Sequence, residues 1–229
     1  MSVALVGAGP GDPGLITVKG LQCVREADVL VYDRLVSPEL VAESDGLKID
    51  RDKLTQEQVN ALLVRLGRDS FVVRLKGGDP LLFGGGGEEA RALAGAEVPF
   101  EIVPGVSSLA SVPGAAGIPV THRGVSSVVT AFAAHDVEAL DVAALARVPG
   151  TLVAFMGGAN AARLAERLIE HGKPASTPTA VISRGTWDDE QVVVAPLGSL
   201  RGARSTPALV VIGDVVSVRA ALAVQRSAA

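Results

Sequence analysis

Short apolar runs that stop abruptly at glycine recur along this chain. Val3-Ala4-Leu5-Val6 runs into Gly7-Ala8-Gly9-Pro10-Gly11-Asp12-Pro13-Gly14, and Phe71-Val72-Val73 leads through Arg74-Leu75-Lys76 into Gly77-Gly78-Asp79-Pro80. Apolar residues at helical spacing then follow. A strand that ends in a glycine loop and restarts as a helix is half of a βαβ unit, and repeated units build parallel sheets covered by helices. The apolar mass agrees: 48% of the 229 residues are hydrophobic, yet only 3% are aromatic. Val-rich strands with few aromatics suit buried parallel sheets better than a β-sandwich.

The periodicity predicts strands over residues 3–6, 29–32, 71–75 and 100–103, with helices over 17–26, 55–66, 88–94 and 106–116. Thr55 with Gln58 three residues on resembles a capping box. Residues 118–124 lack periodicity and carry two breakers, so they read as a linker. Beyond it, strands are expected over 126–132, 151–156, 179–183, 191–195 and 208–212, and helices over 139–146 and 159–170. The expected organisation is α/β throughout, as two α/β domains over 1–120 and 121–229. Back-to-back strand candidates in the second half imply some antiparallel pairing there.

The net charge is −4 and no basic stripe appears, which argues against a nucleic-acid partner. The single cysteine, Cys23, excludes an internal disulfide and a Cys-based zinc site; it reads as a buried, inert thiol and no metal is expected. The N-terminus has no basic region before its short apolar run, so it reads as a strand rather than a signal peptide. No stretch reaches the ~18 apolar residues of a membrane span. A soluble, cytoplasmic protein is expected.

Four glycine-bearing loops could carry chemistry. The first follows a strand, where backbone N–H groups can hold a polar ligand. Its G-x-G-x-G spacing, with Pro10 inside, departs from the dinucleotide fingerprint, and proline removes a donor. A tight turn is the alternative. In the second loop, Gly77 and Gly78 allow close approach of a ligand, and Asp79 either accepts hydrogen bonds from it or caps a turn opened by Pro80. The third, Phe83 to Glu89, holds four consecutive glycines and is either closely approached or a hinge. In the fourth, Pro104-Gly105 leads to Ser107 and Ser108, which are caps or ligands.

Together these segments resemble the uroporphyrinogen-III C-methyltransferases of the tetrapyrrole methyltransferase superfamily. The resemblance rests on Val6-Gly7-Ala8-Gly9-Pro10-Gly11-Asp12-Pro13, Val31-Tyr32-Asp33-Arg34-Leu35-Val36-Ser37, Val73-Arg74-Leu75-Lys76-Gly77-Gly78-Asp79-Pro80, Val103-Pro104-Gly105 and Gly117-Ile118-Pro119-Val120-Thr121-His122-Arg123. Phe155-Met156-Gly157, Arg184-Gly185-Thr186 and the segment from Pro207 to Gly213 continue it, in order and over nearly the whole chain. The resemblance implies two αβα domains, the tetrapyrrole methylase fold, with S-adenosylmethionine in the cleft between them, S-adenosylhomocysteine as its product, and a homodimer. It places Pro10, Gly77, Gly78, Asp79, Leu82, Ser107, Ser108, Met156, Gly185 and Ala208 at the cofactor. It places Arg34, Glu88, His122 and Arg123 at a tetrapyrrole substrate. It nominates Asp33 as proton acceptor, since methylation of an electron-rich pyrrole carbon must end in proton loss. Pairing with Arg34 or capping a turn is the alternative for Asp33.

Two departures stand out. The family's Gly-Lys-Arg loop before the helix at Thr55 is shortened here, so its proton-donor lysine has only Arg51 or Lys53 as counterpart. Where the family has Arg in F-G-R-G-G-E-E, this chain has Gly85. Both losses remove cations that would meet a polycarboxylate, each charge-assisted hydrogen bond being worth about 1.5–3 kcal/mol. Arg123, Lys76, Arg74 and Arg34 are the expected compensation. The implied activity is methylation of uroporphyrinogen III to precorrin-2 on the way to siroheme or cobalamin. The alternatives are a later precorrin C-methyltransferase of the cobalamin route, or a cofactor-binding homologue with weakened catalysis.

Overall fold

Five parallel strands make the first sheet: β1 (Ser2–Gly7), β2 (Val29–Tyr32), β3 (Leu47–Asp50), β4 (Phe71–Lys76) and β5 (Phe100–Val103), in the order β3-β2-β4-β1-β5. This is a computed structural model that describes residues 1–203 and 205–222. The connections are helical: α1 (Val18–Glu26), α2 (Pro38–Ala42), α3 (Gln56–Leu66) and α4 (Gly86–Gly95). The period of two in a strand explains the continuous apolar runs. Ala4, Val6, Leu30, Val73 and Leu75 face a core shared with Cys23 and Val24 of α1. Val3, Leu5, Val29, Val31 and Val72 face the opposite core, with Val59 and Leu63 of α3 and Leu93 of α4. Cys23 is a buried free thiol, as its helical setting implied.

The capping box at α3 is present: the Thr55 hydroxyl accepts from the Gln58 amide, and the Gln58 side chain accepts from the Thr55 amide. β3 and α2 were absent from the sequence expectation. β3 is an edge strand in which only Ile49 is half-buried, so it lacks the alternation that marks a strand. α2 is five residues long and is set by its Ser37 cap and by Pro38 at its start.

The second sheet contains β6 (Val129–Ala133), β7 (Thr151–Phe155), β8 (Pro178–Ser183), β9 (Gln191–Pro196) and β10 (Ala208–Ile212), in the order β6-β7-β10-β8-β9. Only β6 and β7 are parallel, so antiparallel pairing exceeds what the sequence implied. α6 (Val142–Arg147) and α7 (Ala161–Glu170) cover one face. α5 (Ser108–Ala115) and a 3₁₀ segment over Asp214–Ala221 cover the other. β6 starts three residues later than expected because Ser126 is taken by a turn, exchanging backbone hydrogen bonds of 2.9 Å with His122.

The chain divides into compact units Met1–Ser108 and Leu109–Ala229. The division falls before the expected junction at residue 120. The reason is α5: its Val112, with Ala116 and Ile118 after it, packs into the second core against Val153, Ile182 and Val211. The small-residue helix therefore belongs to the second unit. Among the described residues, no helix is long and apolar enough to cross a membrane.

Candidate functional site

In a parallel sheet every strand ends at the same edge, and there the first unit gathers its motif residues. The loops after β1 and β4 are tied together: Gly78 N donates to Gly9 O at 2.6 Å, and Ala8 N donates to Lys76 O at 2.7 Å. The loop after β5 closes on both. A Cβ on Gly7 would lie 2.5 Å from Gly105 Cα, and one on Gly105 would lie 2.2 Å from Gly78 O. Glycine is therefore required here by backbone packing, whatever is bound. Pro10 is buried beside Gly9, and Leu82 is half-buried.

Asp79 uses both carboxylate oxygens on backbone amides. Oδ1 accepts from Leu81 N at 2.9 Å, and Oδ2 accepts from Gly105 N at 3.2 Å. It does cap the turn opened by Pro80, and it also pins the loop after β5. Each oxygen retains a second lone pair for a cationic or hydroxyl group. Gly78 sits in the left-handed region at φ 68°, and a Cβ there would be 3.4 Å from Ser108 Oγ. Ser107 and Ser108 are half-buried where the loop after β5 enters α5.

Beside this junction, at the end of β2, stands Asp33. Its Oδ1 accepts from a terminal guanidinium nitrogen of Arg74 at 2.5 Å and lies 3.7 Å from Arg51 Nε. Arg51 reaches it because β3 pairs with β2 in the register Tyr32 to Asp50, and Arg51 is the next residue. Lys53 is exposed two residues further on. Arg51 is thus the shortened loop's cation nearest to Asp33. Arg34, placed by the resemblance at the substrate and otherwise the alternative partner of Asp33, is exposed and lies 3.9 Å from Asp52.

Arg74 and Lys76, expected among the compensating cations, are buried. Both are 1% exposed. With Val72 they occupy the β4 face turned toward α3 and α4, where Glu89 waits, itself 0% exposed. Glu89 Oε1 accepts from Arg74 Nε at 3.0 Å and from Lys76 Nζ at 2.8 Å, and Gln56 of α3 approaches it at 3.4 Å. Glu89 Oε2 is buried without a partner. Burial, and then the Arg74 guanidinium, hold the Lys76 ammonium below the usual lysine range; Glu89 opposes them. The effective cost of burying such ions is several kcal/mol each. Three cations, Arg51, Arg74 and Lys76, face two carboxylates, Asp33 and Glu89, so the cluster carries a positive surplus.

Glu89 and Gln56 escaped the sequence reading. The signal was present: two cations spaced i, i+2 in a strand otherwise apolar need an acid across from them. Glu88, the neighbour expected at the substrate, is exposed at the start of α4. Gly85, which replaces the family's arginine, is the α4 N-cap in the left-handed region, at φ 71°.

In the second unit, β7 and β8 run the same way and β10 runs against both. Met156 after β7, Gly185 after β8 and Ala208 at the start of β10 therefore meet at one edge of that sheet. Met156 has φ 55°, and Gly185 lies between Arg184 at φ 49° and Thr186 at φ 72°. Such conformations cost non-glycine residues about 1–3 kcal/mol each and cluster at functional sites. The Arg184 guanidinium stacks 4.4 Å over Trp187 and donates to Asp189 at 2.6 Å, which holds the strained loop. A Cβ on Gly185 would meet Val112 at 2.4 Å. His122 and Arg123 lie exposed on the turn before β6, and His122 Nδ1 is 3.0 Å from Arg123 O.

Residues 2–201 match the family model described as Tetrapyrrole (Corrin/Porphyrin) Methylases. Siroheme synthase 1 of Yersinia pseudotuberculosis is 48% identical over 231 residues, covering 94% of this chain and 49% of that protein. The siroheme synthase of Neisseria meningitidis is 43% identical over 236 residues, covering 96% and 49%. The chain thus spans about half the length of the curated relatives it matches. Among solved structures, uroporphyrin-III C-methyl transferase from Thermus thermophilus, complexed with S-adenyl homocysteine, superposes with a TM-score of 0.86 at 41% identity, covering 95% of this chain and all of that one. A cobalt precorrin-4 methyltransferase superposes at 0.84 with 30% identity, covering 93% and 95%.

Proposed function

Because the chain belongs to the tetrapyrrole (corrin/porphyrin) methylases, we propose that it methylates uroporphyrinogen III twice, giving precorrin-2, with S-adenosylmethionine as methyl donor. The observation that carries this reading is Asp33: a carboxylate at a strand end, anchored by Arg74 beside three interlocked glycine loops. The Thermus relative, similar along its entire length, is a uroporphyrin-III C-methyl transferase whose structure holds the demethylated cofactor.

The residues suit that cofactor. A sulfonium and an amino-acid zwitterion need oxygen acceptors and a few backbone donors rather than a row of phosphate-type donors. The first unit offers Asp79 with lone pairs to spare, the left-handed Gly78, and Pro10, Gly77, Leu82, Ser107 and Ser108 around them. The residues proposed on the second unit are Met156, Gly185 and Ala208. S-adenosylmethionine supplies the methyl group and leaves as S-adenosylhomocysteine.

The chain's own residues handle the proton and the substrate's charge. Asp33 takes the proton lost from the newly methylated ring carbon. Arg74 and Arg51 both address Oδ1, so Oδ2 is the oxygen assigned to that proton. The positive surplus of the cluster favours a polycarboxylate in front of it. Arg51 stands in for the family's loop lysine; Arg34, Glu88, His122 and Arg123 are the further substrate contacts. The product's entry into siroheme or cobalamin synthesis, a cytoplasmic location and a homodimer belong to the same proposal.

Gly85 favours one second reading, a later precorrin C-methyltransferase, because loss of the arginine changes what charge the substrate can bring. Anaerobic incubation with uroporphyrinogen III and S-adenosylmethionine, followed by mass and absorbance, separates them. A gain of two methyl groups is expected. No gain, with cofactor binding intact by calorimetry, would transfer the assignment to a different tetrapyrrole.

A further inference from the structure

Glu89 does not touch the reacting groups, yet its surroundings tie it to the one carboxylate that does. We infer that Glu89 is a positioning residue: it fixes Arg74 from behind so that Arg74 presents Asp33 in a single orientation. The inference rests on the proposed role of Asp33 as proton acceptor.

Arg74 spends its donors in three directions. Nε goes to Glu89 at 3.0 Å, one terminal nitrogen to Asp33 at 2.5 Å, and the other to Leu75 O at 3.2 Å. A guanidinium is planar, so two edges fixed on opposite partners leave it no rotation. Without the Glu89 contact, only the backbone carbonyls of Leu75 and Val31, at 3.2 and 3.5 Å, would hold the guanidinium against Asp33. Glu89 is itself held on several sides. It comes from the first turn of α4, is fully buried, and Lys76 holds the same oxygen at 2.8 Å. The chain Lys76, Glu89, Arg74, Asp33 is therefore a continuous string of ion pairs running from the sheet interior to a partly exposed carboxylate. A purely structural filling of this space would use apolar side chains, as the rest of this core does.

The test compares the full-length protein with Glu89→Gln and with Arg74→Lys, which keeps the charge but loses the two-edged fork. Each variant is expected to lower kcat by on the order of 10- to 100-fold, while KM for S-adenosylmethionine stays within about twofold of wild type. The groups facing Asp33 are Arg74 and Lys76 of β4, Arg51 after β3 and Glu89 of α4. Removing the Glu89 charge leaves cations in excess, so the acid limb of the kcat profile moves to lower pH; a role in packing alone would leave that limb in place. In an Asp33→Asn background, Glu89→Gln should cost less than about twofold more, because its route to the reaction is gone. The same two-by-two cycle read by chemical denaturation needs no turnover and should also be non-additive. Additivity there, or wild-type kcat in both variants with an unmoved acid limb, overturns the inference. An inactive wild type with a non-additive denaturation cycle instead overturns the substrate assignment and leaves the linkage standing. If Glu89→Gln fails to fold, Arg74→Lys decides.

Discussion

In the first unit the strand ends bury ions: Arg74, Lys76 and Glu89 are at most 1% exposed. In the second unit the buried polar side chains among the described residues are hydroxyls, namely Ser126, Thr151, Thr179 and Ser183. What the second unit holds at its strand ends is backbone strain, with Met156, Arg184 and Thr186 all at positive φ. The first unit has Phe83 and Glu97 in that region too, but not at the ends of its strands. The contrast teaches that two sheets of one chain can invest stability in different devices. Fixed charge suits a unit proposed to orient an acid and to meet a charged substrate. Fixed backbone suits one that shapes a surface through loops held at positive φ.

The largest effect that could break this contrast is on turnover. Asp33→Asn keeps the shape and the acceptor oxygen but loses the basic carboxylate. It is expected to lower kcat by about 10²–10⁴-fold. Calorimetry should show S-adenosylmethionine binding unchanged. If kcat held, the charges of the first unit would need another explanation.

Next comes stability. Glu89→Met strips Lys76 of its buried carboxylate and should cost about 3–5 kcal/mol in urea unfolding. Exchanging the whole set, with Arg74→Met, Lys76→Met and Glu89→Leu together, should restore stability to within about 1 kcal/mol of wild type or raise it, because an apolar set needs no desolvation. That triple variant should be inactive. A triple variant as unstable as the single one would mean that the ions hold the fold rather than the site.

In the second unit the expected loss is steric. Gly185→Ala places a methyl 2.4 Å from Val112 Cγ1, inside a core that cannot yield. About 1–3 kcal/mol should be lost. Val112→Ala in the same chain should recover part of it, which thermal melts of the single and double variants would show.

The sequence exposed the first unit more fully than the second, and the reason is physical. A strand buried on both faces is mostly apolar, so β1 and the apolar start of β4 at residues 71–73 are legible, as are the glycine loops after both strands and the Thr55–Gln58 cap. β3 was illegible because an edge strand buries almost nothing. The unit boundary was misplaced because α5, rich in small residues, carries no moment to say which sheet it serves; only its packing on Val153 and Ile182 does. At the site, Asp79 is legible from its glycine loop, whereas Asp33 rests on motif resemblance alone. The ion pairs of Arg74 and Lys76 are not legible in the sequence, since nothing local to β4 says that α4 will bring an acid from 15 and 13 residues away.

The smallest prediction concerns a slope. Lys76 in the first unit and Lys173 in the second are both held below lysine's ordinary value of 10.5, each chiefly by burial. For Lys76, Arg74 adds to that effect and Glu89 opposes it; for Lys173, Asp214 opposes it. When the folded state binds its proton less tightly than the unfolded chain, the unfolded chain holds more protons between the lowered value and 10.5. Stability must then rise with pH across that window, by at most about 1.4 kcal/mol per pH unit for one group. The cost is fully present at lower pH and disappears as pH climbs past 10.5. Lys173 is only half-buried and its Nζ donates to Ala146 O at 3.3 Å, whereas Lys76 is fully buried, so removing the Lys76 ammonium is expected to have the larger effect. Urea unfolding of wild type, Lys76→Met and Lys173→Met across this range should show the rise flattened more by the first substitution than by the second. An equal or reversed ranking would place the costlier buried charge in the second unit and undo the contrast between the two sheets.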